Sequence, residues 1–197
     1  MKFLIFKRIG AYAIDYLFIF LLLTMLSQIR FLNPTYDLYM DNYDKYLDIM
    51  DNVSSENVLD IINDSEYQEV NYNLSKYSVS VSITSIIFYL AYFVGFQKWN
   101  KNQTLGKKLF NISVKNKKDD GNPSWGQMFL RTIILYNILF EIFLIISLYI
   151  FNASEYMVVS NIITILAAIV FYANVFFIIF RKDNAGIHDL IAKTKVN

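Results

Sequence analysis

The chain has 197 residues, 55% of them hydrophobic, with a mean hydropathy of +0.35. Its formal net charge of +1 says nothing about function, and the absence of cysteine excludes disulfides and thiol chemistry. Uncharged runs cover 77–97 and 156–180, and each exceeds the roughly 20 residues that cross a ~30 Å hydrocarbon core as a helix. A soluble domain of this size seldom tolerates such runs, so the sequence predicts an integral membrane protein.

The first predicted span covers about 9–30 and is apolar except for Asp15 and a glutamine near its end. The basic residues before it resemble the start of a signal peptide, but no cleavage pattern follows and Asp15 would interrupt the apolar core. An acid within a span normally faces other helices and finds a cation. The candidate partners are Lys107, Arg131 and Arg181, and the alternative role for Asp15 is as a proton or ion ligand.

Residues 33–77 form a predicted acidic insertion outside the membrane. The segment 33–78 holds ten acids against two lysines, and its apolar spacing indicates one or two short amphipathic helices. Two interpretations stay open: an external surface that binds a partner, or a solvated acidic insertion, as charge runs usually are. A Ca²⁺ loop is excluded because that loop needs a turn glycine, which this segment lacks.

The second span is predicted over 78–97, followed by the loop 98–127 with seven lysines against two aspartates. The stretch TLGKK (104–108) lacks the other residues of a nucleotide-binding phosphate loop. Ile112 and Val114 predict a short extended piece before a turn at Asp120–Gly121. Trp99 and Trp125 are expected at the membrane interface.

The last two spans are predicted over 128–150 and 157–180. Glu141 lies near the middle of the third span, Asn137 is one helical turn earlier, and Asn174 has a comparable depth in the fourth span. A carboxylate and two amides at one depth predict either a site for a cation or a proton relay, or hydrogen bonds that join helices.

The tail contains the only histidine, His188, beside Asp189. Adjacent residues on a helix do not face each other, and neither a nucleophile nor a second histidine accompanies this pair. We therefore expect neither catalysis nor a metal site, and predict a juxtamembrane helix over 184–193.

The positive-inside rule places both termini and the lysine-rich loop in the cytoplasm. The sequence thus predicts an all-α integral membrane protein of the cell membrane, with four transmembrane helices, N-in and C-in. An acidic external loop and a cytoplasmic loop plus tail complete a single membrane domain over 1–197.

Several short motifs occur in order in this membrane context: RIGAYAIDYLF, TLGKKLFNISV, an arginine opening the third span, and HDLIAKTKV. Together they resemble the RDD family of membrane proteins, which is named for an arginine and two aspartates. The matching positions are Arg8, Asp15, Thr104, Gly106, Lys107, Arg131, His188, Asp189 and Thr194. Asn111 and Lys193 depart from the family pattern, since glycine is usual at both positions.

The resemblance implies exchange of monovalent cations for protons, because some members of the family are linked to that activity. Asp15 and Glu141 would be the exchange sites. The alternative is a non-transporting accessory or scaffold subunit that binds a membrane-complex partner through the acidic loop. We expect no enzyme activity, cofactor or nucleic-acid partner, and transport by so small a bundle would require a homo-oligomer.

Overall fold

A computed structural model describes residues 2–54 and 57–197, so Ser55 and Glu56 of the acidic insertion lie outside the described residues. The elements are mainly helices, and the strands β1 (Val114–Asn116) and β2 (Thr194–Val196) are short. The helices are α1 (Lys2–Ser27), α2 (Tyr36–Met50), α3 (Val58–Asn63), α4 (Ser65–Tyr77), α5 (Val79–Leu90), α6 (Gln97–Trp99), α7 (Leu105–Leu109), α8 (Trp125–Leu135), α9 (Ile138–Ile150), α10 (Ala153–Phe180) and α11 (Ile187–Ile191), with a π-helical segment at Ala91–Phe96 between α5 and α6.

Within the described residues, three helical stretches are long and apolar enough to cross a membrane: Phe3–Ser27, Val79–Trp99 and Ala153–Phe180. Helices α8 and α9 make a fourth span if the pair is one broken crossing. The helical content and these spans confirm a mainly α-helical membrane protein. They leave the topology and the exact number of spans as predictions.

The predicted third span, 128–150, differs from the structure. The helix starts at Trp125, where Ser124 and Gln127 form a capping box, and the chain bends by 65° between α8 and α9. Asn137 lies at the break with φ 55°, a left-handed conformation that asparagine tolerates better than most residues. Its side chain donates to the carbonyl of Ala167 at 3.1 Å. Residues 137 and 141 are therefore not one turn apart on a continuous helix.

The chain divides into two compact units. Unit 1 comprises the chain up to Met25, Ser85–Leu139 and Ala167–Asn197; unit 2 comprises Leu26–Thr84 and Phe140–Leu166. In unit 2, α2 and α4 pack on each other, and the Tyr72 hydroxyl donates to the Leu148 carbonyl at 2.7 Å. The sequence indicates one or two short amphipathic helices in the acidic insertion, whereas the structure has three helices there, α2, α3 and α4.

Unit 1 contains the tail, which pairs with the lysine-rich loop as a two-stranded antiparallel sheet. Val114 lies opposite Val196, and Lys115 lies opposite Lys195. Both valines belong to a buried cluster with Ala11, Val94, Ile112 and Met128. The extended piece predicted near 112–114 is β1, whereas β2 was not predicted, because a three-residue strand at a chain end has no periodicity to reveal it.

The two departures from the family's glycines occupy left-handed backbone. Asn111 and Lys193 both have a φ of 53°. Glycine adopts this conformation without steric cost, whereas a residue with a Cβ does not. The family's glycine at each position therefore has a backbone reason, and this chain keeps the turns with other residues.

Candidate functional site

Asp189 is the centre of a buried charge cluster in unit 1. Arg8 of α1 donates from Nη2 to Oδ2 at 2.7 Å, and Arg131 of α8 donates from Nη1 to Oδ1. The hydroxyl of Thr194, in β2, donates to Oδ1 at 3.0 Å. Arg8 also donates to the carbonyl of Asn184 at 2.6 Å. This carboxylate therefore joins the first helix, the third predicted span and the tail.

The burial of this cluster makes its members interdependent. The side chain of Asp189 is fully buried, and those of Arg8 and Arg131 are 9% and 5% exposed. Burial alone would raise the pKa of Asp189, but the charges of Arg131, of His188 when it is protonated at low pH, and of Arg8 outweigh it and hold that pKa well below its usual range. Removing one partner of such a buried pair leaves an uncompensated charge, at a cost of roughly 3–5 kcal/mol.

His188 is held against the last long helix by Asn174. The Asn174 Oδ1 accepts the backbone N–H of His188 at 3.1 Å, which assigns that atom as oxygen. It lies 2.8 Å from His188 Nδ1, so Nδ1 must be the protonated nitrogen. Burial, together with the positive charges of Arg131 and Arg8, lowers the pKa of His188 to about 4 despite the nearby Asp189. The imidazole is therefore neutral at pH 7, and Nε2 is an acceptor.

The Nε2 atom of His188 has no hydrogen-bond partner among the described residues, although it is buried. It lies 3.3 Å from the Asp189 carboxylate, a distance suited to an ion pair. In the neutral ring, however, that nitrogen carries a lone pair and cannot donate to the carboxylate. We therefore treat Nε2 as an unsatisfied acceptor.

Asp15 is the second buried carboxylate, and it anchors the TLGKK loop to α1. It accepts from the Tyr92 hydroxyl at 2.7 Å, the Thr104 hydroxyl at 2.5 Å and the Gly106 backbone N–H at 2.8 Å. Tyr92 lies in the π-helical segment, a local distortion that is frequent at functional sites. The sequence predicted a cationic side chain as the partner of Asp15. In the structure, the groups within hydrogen-bond distance of Asp15 are instead two hydroxyls and a backbone amide.

Gly106 is required for this arrangement by its close approach to α1. A Cβ built on Gly106 would contact the carbonyl oxygen of Ala11 and lie 2.9 Å from its carbonyl carbon. Only a residue without a side chain lets the backbone amide reach Asp15. Thr104 then caps α7, because its hydroxyl accepts the Lys107 N–H at 3.2 Å.

Lys107 is buried without a carboxylate within 4 Å among the described residues. Its Nζ lies 3.4 Å from the Thr104 hydroxyl oxygen and 5.9 Å from the centre of the Phe93 ring. Burial and the positive charge of Arg131 lower the pKa of Lys107 to about 7, although Asp15 opposes the shift. Neutral and charged forms of this amine therefore coexist near physiological pH.

A cavity of about 220 Å³ adjoins both carboxylate sites. Its polar lining comprises Arg8, Asp15, Lys107, Arg131, Asn174 and His188, and the rest of its wall is mainly apolar. All of these residues belong to unit 1.

The structure unites most of the residues singled out from the sequence, but not all. The residues within the cluster are Arg8, Asp15, Thr104, Gly106, Lys107, Arg131, Asn174, His188, Asp189 and Thr194. Glu141 belongs to unit 2 and is half-buried, and its carboxylate has no hydrogen bond or ion pair with another described residue. Asn137 contacts Ala167 at the helix break instead. The cluster also includes Tyr92, which sequence reasoning missed because an uncharged aromatic inside an apolar span gives no signal.

Comparison with known proteins identifies the family of the chain. The sequence model of the RDD family matches residues 4–193. An uncharacterized membrane protein, YteJ of Bacillus subtilis (strain 168), is 38% identical over 53 residues, which cover 27% of this chain and 32% of that protein. The chain thus aligns with about a third of that relative's length. No solved structure matches the chain.

Proposed function

The chain belongs to the RDD family of membrane proteins, and from that premise we propose that it exchanges protons for monovalent cations across the cell membrane. The proton would bind at Lys107, beside Asp15, in the cavity of unit 1. Both termini and the lysine-rich loop would face the cytoplasm, in accordance with the positive-inside rule. The exchange would need no cofactor and no covalent chemistry.

The buried amine of Lys107 is the observation that supports this proposal most strongly. A buried lysine without a carboxylate partner is costly, and buried ionisable groups whose pKa is strongly shifted often mark functional sites. This amine lines a cavity, and its pKa of about 7 lets it gain and lose a proton near neutral pH. A structural lysine would instead be paired or would extend its ammonium group into solvent.

The net charge of the cluster would couple the release of the Lys107 proton to the entry of a cation. Three cations, Arg8, Arg131 and Lys107, adjoin two carboxylates, Asp15 and Asp189, so the cluster has one surplus positive charge while His188 is neutral. That surplus repels an incoming cation. When Lys107 releases its proton the cluster becomes neutral, and a monovalent cation can approach the oxygen atoms around Asp15. One proton would therefore leave as one cation enters.

The test is proton-coupled cation flux in proteoliposomes reconstituted with the full chain. Lys107→Met should abolish the coupling, because the exchangeable proton is lost, whereas Lys108→Met should not, since Lys108 is exposed. Glu141→Gln tests the alternative in which the exchangeable proton binds at Glu141 of the third predicted span. Flux that survives Lys107→Met but is lost in Glu141→Gln would contradict the site proposed here.

A second candidate function is a non-transporting accessory or scaffold subunit. The observation that favours it is the packed pair α2 and α4, whose own acidic side chains are all exposed. Wild-type protein that is folded but shows no flux at any pH would favour this candidate. Cross-linking from Asp41, an exposed position of α2, would then identify a membrane-complex partner or a second copy of the chain.

A further inference from the structure

The cavity in unit 1 is lined by a few polar side chains and by a mainly apolar wall. Among the polar lining residues, the amine of Lys107 has one long contact of 3.4 Å, and the buried Nε2 of His188 has no partner among the described residues. Both side chains are more than nine-tenths buried. Two undersatisfied polar groups of this kind favour a ligand that completes their hydrogen bonds.

Lys107 and His188 need opposite hydrogen-bonding groups from a ligand. The ammonium group of Lys107 donates, and the surplus positive charge of the cluster favours a ligand with one negative charge. The neutral imidazole of His188 accepts, because its proton is on Nδ1, so Nε2 needs a donor. A singly protonated phosphate monoester supplies both the anionic oxygens and an O–H group. A carboxylate supplies only the acceptors.

The apolar wall is formed partly by membrane-spanning helices. Ile9 of α1 and Phe171, Val175 and Ile179 of α10 line the cavity, and each is more than a third exposed on such a helix. In a bilayer, exposed apolar surfaces of membrane-spanning helices contact lipid chains, so these four residues border both the cavity and the hydrocarbon. An alkyl chain fits such a wall, whereas a hydrophilic solute would leave it poorly solvated.

We propose that this cavity binds a single-chain anionic amphiphile of the bilayer through a phosphate monoester headgroup. The headgroup contacts Lys107 and His188, and the alkyl chain lies against Phe171 and Val175. This inference goes beyond the proposed ion exchange and stands without it; a bound amphiphile and an incoming cation would compete for the same cavity.

The experiment uses the full chain in detergent and a lysophosphatidic acid that has a diazirine in its acyl chain. After illumination, mass spectrometry locates the labelled peptides, which we expect in α1 and in the part of α10 that lines the cavity. Lys107→Met should weaken labelling roughly tenfold or more, which corresponds to the loss of one charged hydrogen bond. The matched variant Lys108→Met should label like the wild type.

A second pair of variants tests the wall without altering charge. Val175→Trp fills the cavity and should abolish labelling, whereas Val158→Trp places the same side chain at an exposed position of the same helix and should not. If Lys107→Met fails to fold, the valine pair still decides the outcome.

Three results would overturn the proposal. Equal labelling in the wild type and Val175→Trp would place the amphiphile elsewhere. Equal labelling by a monoacylglycerol with the same diazirine would show that the phosphate contributes nothing. Displacement of the probe by inorganic phosphate at the concentration at which unlabelled lysophosphatidic acid displaces it would show a free-anion site without a role for the apolar wall.

Discussion

Two acids of unit 1, Asp15 and Asp189, have surroundings unlike those of the exposed acids of unit 2. Asp15 and Asp189 are buried, and arginines, hydroxyls and backbone amides donate to them. Asp37 of unit 2, in contrast, forms an exposed pair with Arg30 in which both side chains are more than half exposed. Water screens the exposed charges, whereas the buried ones depend on each partner. We therefore expect Asp15 and Asp189 to contribute more to the free energy of unfolding than an exposed acid such as Asp37.

The largest change in unfolding free energy is expected when the Asp189 carboxylate is removed. Asp189→Ala leaves Arg8 and Arg131 buried without their carboxylate, and we expect a loss of roughly 3–5 kcal/mol in unfolding free energy. Asp37→Ala, which breaks the exposed pair, should cost about 1 kcal/mol or less. Denaturant titration in detergent measures both changes. Equal losses in the two variants would show that burial does not set the difference.

The next test concerns the close approach of the TLGKK loop to α1. Gly106→Ala places a methyl group against the Ala11 carbonyl, and overpacking of this kind typically costs about 1–3 kcal/mol. Gly95→Ala is the matched control, because its Cβ would have no neighbour within 4 Å and alanine favours a helix. Thermal melting should fall for the first variant only. An unchanged melting temperature for Gly106→Ala would mean that the loop is not seated as described.

The buried amine of Lys107 predicts that the stability of the protein depends on pH. The folded pKa of Lys107 is about 7 against 10.5 for an ordinary lysine, so the unfolded chain binds the extra proton between those values. Stability should therefore rise with pH from about 7 to about 10.5. This contribution is absent in Lys107→Met and present in Lys108→Met. Identical slopes for all three proteins in this range would contradict the burial of the Lys107 charge.

The smallest effect is expected where the chain departs from its family. Lys193 occupies left-handed backbone, so Lys193→Gly should raise stability by about 0.5–1 kcal/mol. Asn111→Gly should gain less, because asparagine tolerates this conformation. Thermal melting of both variants checks the order of the two effects. A loss of stability in Lys193→Gly would show that its side chain, and not the turn, matters there.

The sequence predicted the membrane helices and the buried charged residues, but it did not predict the bend after α8 or which helices face each other. Uncharged runs predicted membrane helices because few other structures bury such lengths, and the motif positions predicted most of the cluster. The bend after α8 could not be predicted, since residue 137 has to pass through a left-handed conformation that its type merely permits. Depth alone likewise grouped Glu141 with Asn174, but depth does not specify which helix faces which. Only the packing shows that Asn174 binds His188.

Nuclear magnetic resonance of the lysine side chains, with the amines isotopically labelled, tests the central claim most directly. One amine, that of Lys107, should titrate near pH 7. This signal should vanish in Lys107→Met and persist in Lys108→Met. If no lysine amine titrates near pH 7, Lys107 is not a buried, exchangeable proton site, and the proposed role of this cluster is wrong.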